Sequence, residues 1–328
     1  MALLSGKVAI VTGGGRGLGR CHALALAAHG AAVVVNDLGG GVKGGDPDEI
    51  QGPHTSSTAQ AVVAQIIALG GRAVANHASV ADWAGAKTII DDALATFGGL
   101  DIVVNNAGIN RPASLIDLTE ADYDLETAVH LKGTTAVCHH AAALWARQGR
   151  TEGGRAIINT TSPVGVHPMV NGGPYCAAKA GIAALTMVAA QELAHLGVRA
   201  NAIAPAARTR MVMASPAVDQ LMPRPDFGSE GFDRHLPDHV SPLVIYLASH
   251  LNRFTGRIFG VEGPDVALYQ PWSADWLVSG DGQWQVPALA QALAALPEQA
   301  PIRAFYPGGR IDTLIPPNRT LKALREIG

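Results

Sequence analysis

The chain has 328 residues, 48% of them apolar and 16% charged, with a net charge of −3 and a pI near 6.4. That is ample apolar material for a large buried core, and the mild negative charge gives no basis for binding a nucleic-acid backbone or an anionic membrane. The three cysteines (Cys21, Cys138, Cys176) are too few and too scattered for a disulfide framework or a thiolate metal site.

Each cysteine is expected to act as a small apolar residue in a reducing cytosol. No basic n-region with an apolar h-region opens the chain, and no apolar run approaches the roughly 20 residues of a membrane span. A soluble, cytoplasmic protein is the expectation.

In chain order, Val8–Val11 reads as a buried strand broken by Thr12-Gly13-Gly14-Gly15-Arg16-Gly17-Leu18-Gly19. A helix pattern follows to His29 and stops at Gly30. A second strand, Ala31–Val35, ends in Asn36-Asp37. Strand, glycine turn, helix, strand and then an acid is the order of a dinucleotide-binding unit. Leu38–Ser57 is a polar loop of a length uncommon in compact domains and often functional or disordered.

Thr58–Leu69 reads as a helix, Arg72–Asn76 as a strand, Asp82–Phe97 as a helix and Ile102–Val104 as a strand entering Asn105-Asn106-Ala107-Gly108. One long helix is expected over Thr119–Arg147, with Gly133 inside it. Ala156–Asn159 is a strand leading to Thr160-Thr161-Ser162. The helix Pro174–Leu196 carries Tyr175 and Lys179. Val198–Ile203 is a strand, Ala204–Pro237 irregular, Asp238–Ser249 a helix and Arg257–Val261 the last strand.

Seven strands alternating with helices imply an α/β, doubly wound parallel sheet covered on both faces. Residues 1–263 form one Rossmann-type domain on this reading. Residues 264–328 form an extension packed on the domain or on a neighbouring subunit, with a short helix around Pro287–Leu296 and Trp272, Trp276 and Trp284.

The chemistry gathers in five places. Gly13, Gly17 and Gly19 let backbone amides and a helix N-terminus approach a pyrophosphate. Asp37 can accept hydrogen bonds from both hydroxyls of an adenine ribose and would repel a 2′-phosphate, which favours NAD; Arg16, which can pair with such a phosphate, argues the other way. Asn105–Gly108 and Ser162 lie at strand ends, where open parallel sheets bind ligands. Tyr175 and Lys179, four apart, share one helix face, so the ammonium can stabilise a phenolate and lower its pKa. His139-His140 completes no metal site, since adjacent helical residues diverge and no carboxylate joins them.

Together, Thr12-Gly-x-x-x-Gly17-x-Gly19, Asn105-Asn-Ala-Gly108, Ser162 and Tyr175-x-x-x-Lys179 resemble the short-chain dehydrogenase/reductase family over residues 5–263. The resemblance implies a seven-stranded Rossmann domain in which Tyr175 is the acid/base, Ser162 orients the reacting oxygen and Lys179 lowers the tyrosine pKa. It also implies a cofactor site at Gly13, Arg16, Gly17, Leu18, Gly19, Asp37, Ser79, Val80, Asn105, Ala107, Gly108, Pro205 and Thr209. A homodimer or homotetramer built from the two long helices is implied as well. Val35–Gly40 with its long loop, Ala73–Asn76 and Val129–Gly133 look like the (3R)-hydroxyacyl-CoA dehydrogenase part of peroxisomal multifunctional enzymes and its bacterial single-domain relatives.

Four positions depart from the wider family. His130 stands where most members have asparagine and is either a variant proton relay or a residue bonded to backbone. Pro205-Ala206 replaces Pro-Gly. Arg210 occupies the place of the threonine that contacts the carboxamide, with Thr209 one residue short. Ala78-Ser79-Val80 also lacks an aspartate that many relatives place near the adenine. Met169, Met211, Met213 and Met222 suggest an adaptable apolar wall, and Arg111, Arg208 and Arg210 are candidates for coenzyme A phosphates. An apolar secondary alcohol follows as substrate, a 3-hydroxyacyl-CoA or a hydroxysteroid. A non-catalytic NAD-binding sensor fits less well, because both Tyr175 and Lys179 are present.

Overall fold

The computed structural model describes residues 2–44, 58–151, 154–213, 222, 232–270, 277, 279, 283 and 285–294. Eight strands form one sheet. They are β1 (Val8–Thr12), β2 (Ala32–Asn36), β3 (Arg72–Asn76), β4 (Ile102–Asn105), β5 (Arg155–Thr160), β6 (Val198–Pro205), β7 (Ile258–Glu262) and β8 (Asp265–Tyr269). Their order across the sheet is β3-β2-β1-β4-β5-β6-β7-β8, and β1 to β7 pair in parallel. The expected parallel, doubly wound α/β fold is therefore present.

The sheet does not stop at seven strands. Residues 264–269, assigned from sequence to the extension, turn back at Gly263 (φ +56) and add β8 antiparallel to β7. A two-residue reversal needs a left-handed backbone there, which glycine adopts without penalty. Trp272, Trp276, Trp284 and the end of the helix expected near Pro287–Leu296 lie outside the described residues; Val286–Ala294 is helical.

Alternation along each strand splits the core in two. Ala9, Val11, Val33, Val35 and Val104 face one side with Leu26, Ile66 and Val244. Val8, Ile10, Val34, Val103 and Ile157 face the other with Ile89, Trp145 and Leu196. Strands buried on both faces read as unbroken apolar runs for this reason.

Helices α1 (Gly17–Ala28), α2 (Thr58–Ala68), α3 (Trp83–Phe97), α4 (Glu120–Thr127), α5 (Gly133–Gln148) and α7 (Gly173–Glu192) connect the first six strands, with a single turn, α6 (Pro163–Val166), before α7. Asp82 caps α3 by accepting from the Ala84 and Gly85 amides, and Gly98 ends it at φ +80.

The long helix expected over Thr119–Arg147 is interrupted. Between α4 and α5 lies a π turn, Ala128–Lys132. Such turns shift the side-chain register locally and recur at functional sites; this one carries His130. Gly133 follows because a Cβ there would stand 2.9 Å from Val80 Cγ2.

Candidate active site

The strand order reverses between β1 and β4, so the loops after these strands diverge and open a cleft at the C-terminal edge of the sheet. A cavity of about 320 Å³ fills it. Gly13, Arg16, Gly17, Leu18, Asp37, Ser79, Val80, Ala107, Gly108, His130, Ser162, Tyr175, Lys179, Pro205 and Thr209 all line it.

Two expected residues do not. Gly19 lies behind the turn, where an added Cβ would be 2.1 Å from Gly13 O. Asn105 is buried beneath the site: its Nδ2 donates to Asn159 Oδ1 (2.9 Å), and Asn159 Nδ2 donates to Thr186 Oγ1 (2.9 Å). Both support the cavity from below. Asn106 lines it instead, and its Nδ2 donates to the carbonyls of Thr12 and Gly13. Thr12 Oγ1 in turn accepts from the Asn106 and Ala107 amides, which locks the β1 turn to the β4 turn.

The surroundings fit a dinucleotide. Gly13 (φ +62) has no room for a Cβ beside Ala107, so backbone alone forms that wall. Asp37 is held by two amides: Gly15 N–H donates to Oδ2 (2.9 Å) and Gly39 N–H to Oδ1 (2.8 Å). Asn36 Nδ2 donates to Asn76 Oδ1 and Ala78 O, which fixes the Ala78–Val80 wall. Among the described residues, Thr160 Oγ1 and His130 Nδ1 at this cavity are buried without a hydrogen-bond partner; such atoms call for a ligand or water.

The reactive end lies on α6 and α7. Ser162 caps α6, with its Oγ accepting from Val164 N–H (3.4 Å). The Lys179 ammonium donates to Thr160 O (2.8 Å) and stands 5.5 Å from the centre of the Tyr175 ring. Thr161 Oγ1 donates to Lys179 O and ties β5 to α7.

Burial pushes the Tyr175 phenol up to about 12; the nearby Ser162 hydroxyl opposes this, while Cys176 and Glu126 add to it. Burial pulls Lys179 down to about 7. The phenol is thus raised and not lowered as expected: desolvation is the largest cause for each group, and Lys179 is not among the causes for Tyr175. Charge on one still stabilises opposite charge on the other at this short range, so the pair favours charging together.

His130 does bond to backbone, but in a loop: its Nε2 lies 2.7 Å from Ile109 O. Burial, then the Lys179 charge, hold it well below the usual histidine value, against the Ile109 bond. Nε2 also lies 3.2 Å from the Ile109 amide, so the neutral ring either donates to Ile109 O and leaves Nδ1 an acceptor or accepts from Ile109 N–H and leaves Nδ1 the donor. Its ring meets Tyr175 edge-on, 5.1 Å between centres. Only a glycine fits at 108, where a Cβ would be 2.5 Å from His130 Cε1.

Other expectations resolve as follows. Ala206 needs no left-handed backbone, since Asn171 is the one non-glycine residue with positive φ among the described residues. Thr209 opens a short helical turn (Arg210–Met213) and faces Gly17 across the cleft, 3.7 Å from where a Cβ would stand. Arg210 also lines the cavity, close enough to Arg16 and Asp37 to feel both charges. Arg208 is committed to Asp233 through two hydrogen bonds, and Arg111 to Asp122.

Of the four methionines, Met211 lines the cavity, Met169 packs with Tyr175 and Cys176, and Met222 is buried with its carbonyl accepting from Arg208. Missed from sequence was Glu126, 1% exposed, whose Oε1 accepts from Arg111 N–H (2.6 Å) and whose charge reaches Tyr175. Its position one helical turn before His130 is the signal that points to it. His139 and His140 stack with Trp83, and all three cysteines are buried and free. Among the described residues, no helix is long and apolar enough to cross a membrane.

A mostly parallel sheet with a glycine-turn cleft at its switch point, lined also by Ser162, Tyr175 and Lys179, is the architecture of a dinucleotide-linked oxidoreductase. A family profile described as short chain dehydrogenase matches residues 52–219, and the chain belongs to the short-chain dehydrogenase family. It is 40% identical to the hydroxyacyl-CoA dehydrogenase ChsB1 of Mycobacterium tuberculosis over 297 residues, covering 88% of each chain. It is 39% identical to the mouse peroxisomal multifunctional enzyme type 2 over 78% of this chain but 31% of that one. A crystal structure of a short chain dehydrogenase from Mycobacterium avium superposes with a TM-score of 0.75 at 40% identity, covering 92% of this chain and 99% of that one. A 7α-hydroxysteroid dehydrogenase complexed with NADH and 7-oxoglycochenodeoxycholic acid superposes at 0.67 with 27% identity, covering 80% and 95%.

Proposed function

We propose that this protein is an NAD-dependent dehydrogenase of 3-hydroxyacyl-CoA substrates. The observation that carries the reaction is that Ser162, Tyr175 and Lys179 line the same cavity as the β1 glycine turn. The nicotinamide, when bound, supplies the hydride acceptor. Gly13, Gly17, Leu18, Asp37, Ala107 and Thr209 would hold the dinucleotide.

In the oxidation direction Tyr175 takes the hydroxyl proton, and Ser162 hydrogen-bonds the same oxygen. Lys179 carries the compensating charge. The proton then leaves by way of Lys179 toward Thr160 Oγ1 and His130 Nδ1, both buried without a partner among the described residues. His130 as a relay predicts that His130→Ala loses turnover and shifts its pH profile, with His130→Asn restoring part of both; loss of turnover with an unchanged profile leaves His130 as a residue that only anchors Ile109.

The substrate class draws on the apolar side of the cavity, formed by Leu38, Val42, Ile109, Leu125, Val129, Met211 and Val212, and on the hydroxyacyl-CoA dehydrogenase relatives. The preference for NAD draws on Asp37, whose fixed carboxylate suits ribose hydroxyls and disfavours a 2′-phosphate.

The test is reduced-cofactor formation with a panel of 3-hydroxyacyl-CoAs and of 3- and 17-hydroxysteroids, each run with NAD and NADP. Turnover of the acyl-CoAs with NAD is expected, with NADP at least about tenfold poorer in kcat/KM and Asp37→Ser narrowing that gap. Turnover of steroids alone reassigns the substrate, and tight NAD binding without turnover of any member indicates a sensor.

A further inference from the structure

The segment after β2 does not stay beside its own strand. Asp37 and Gly39 sit at the end of β2, yet five residues on the chain has reached the far side of the cleft. Asn110 N–H donates to Val42 O (3.0 Å), and Arg111 Nε donates to Lys43 O. Gly44 abuts Leu125 and Ile109, where a Cβ would be 3.0 Å from Leu125 Cδ2. Because β1 lies between β2 and β4 in the sheet, residues 38–44 cross above the glycine turn. Midway, Arg16 Nη1 donates to Gly40 O (3.3 Å).

Beside the Asn110 amide, one side chain fastens the far end of this strap. Arg111 reaches the Lys43 carbonyl with Nε and the Asp122 carboxylate with Nη1 (2.5 Å), while its own amide is held by Glu126. A guanidinium presents donors in a rigid fork, so one residue can hold two acceptors on different elements at once. The β2 segment, the β4 loop and α4 therefore meet at Arg111. The same strap residues form cavity wall at both ends: Leu38 and Gly40 beside Asp37, Val42 and Gly44 beside Ile109.

We propose that Arg111 is a positioning residue that fastens the 38–44 strap across the cleft, so that one segment shapes both the dinucleotide site and the apolar substrate wall. Arg111 is thus spent on the fold of the site and not on substrate phosphates. The proposal rests on the dehydrogenase reading given above.

The test compares wild type with Arg111→Ala and Arg111→Lys, as full chains. NADH affinity is read by fluorescence titration, which needs no turnover, and KM and kcat are read with the best substrate of the panel. In Arg111→Ala both the NADH Kd and the substrate KM rise roughly tenfold, while kcat stays within about threefold. Arg111→Lys, with one compact ammonium, keeps the Asp122 contact and recovers part of the loss.

Wild-type Kd and KM in Arg111→Ala overturn the proposal, as does a fall in kcat with KM unchanged. If Arg111→Ala does not fold, Asp122→Asn removes the charge that orients the guanidinium: a several-fold rise in KM supports the strap, and an unchanged KM overturns it. Failure of wild type to bind NADH or to turn over any panel member defeats the dehydrogenase reading. Wild-type binding and turnover with constants indifferent to residue 111 defeats only the strap.

Discussion

Tyr175→Phe loses turnover by roughly 10²- to 10⁴-fold, the span ascribed to a positioned acid/base, while NADH affinity stays within about threefold. The ring keeps its packing, because Tyr175 clusters with Val164, Met169 and Cys176 through carbon and sulfur atoms. What is lost is the hydroxyl that meets Ser162. Neither neighbour can replace it: the Ser162 oxygen already caps α6, and the Lys179 ammonium is turned to Thr160 O. Burial that lifts the phenol to about 12 also keeps it protonated as a ground state, which suits an acid in ketone reduction. In oxidation the phenolate has to form beside a charged Lys179. Stopped-flow NADH formation checks this, and wild-type turnover in the Phe variant with intact binding would sink the acid/base assignment.

Gly19→Ala is expected to cost at least about a hundredfold in NADH affinity and on the order of 1–3 kcal/mol in stability, the usual price of overpacking. Its Cβ would fall 2.1 Å from Gly13 O, 2.5 Å from Asn106 Nδ2 and 2.8 Å from Gly13 C. Two of those atoms are backbone and cannot rotate away. Gly13 cannot yield either, since it is pinned at φ +62 against Ala107 and its carbonyl accepts from Asn106. The turn must therefore move as a unit, and the amides facing the cavity move with it. Gly99→Ala is the matched control, because nothing lies within 4 Å of a Cβ there; it should leave both readouts unchanged. A Gly19→Ala protein that binds NADH as tightly as wild type would remove the turn from the cofactor site.

The comparison of sequence with structure is clearest at single residues. Tyr175 and Lys179 were legible because helical period alone puts them on one face. The glycine turn and Asp37 were legible because strand, turn and helix follow one another within a short stretch of chain. Which of two adjacent asparagines faces the cavity was not: Asn105 turns into the sheet to meet Asn159 and Asn106 turns out, a choice made by pairing with β5 and by Thr12. Arg111 and Arg208 read as candidates for coenzyme A phosphates, and their partners Asp122 and Asp233 emerge only after folding.

Periodicity and backbone sterics over a few residues were enough to read the alternation of buried strands and helices, the glycine turn and the Tyr175–Lys179 pair from the sequence. The tertiary structure alone decided the π turn that aims His130 at Ile109, the β8 hairpin that widens the sheet and the strap that Arg111 holds across the cleft. Each of those depends on hydrogen bonds and close contacts between segments that become neighbours only when the sheet assembles. Local pattern carries no record of such partners, because their energy exists only once water has been excluded between them.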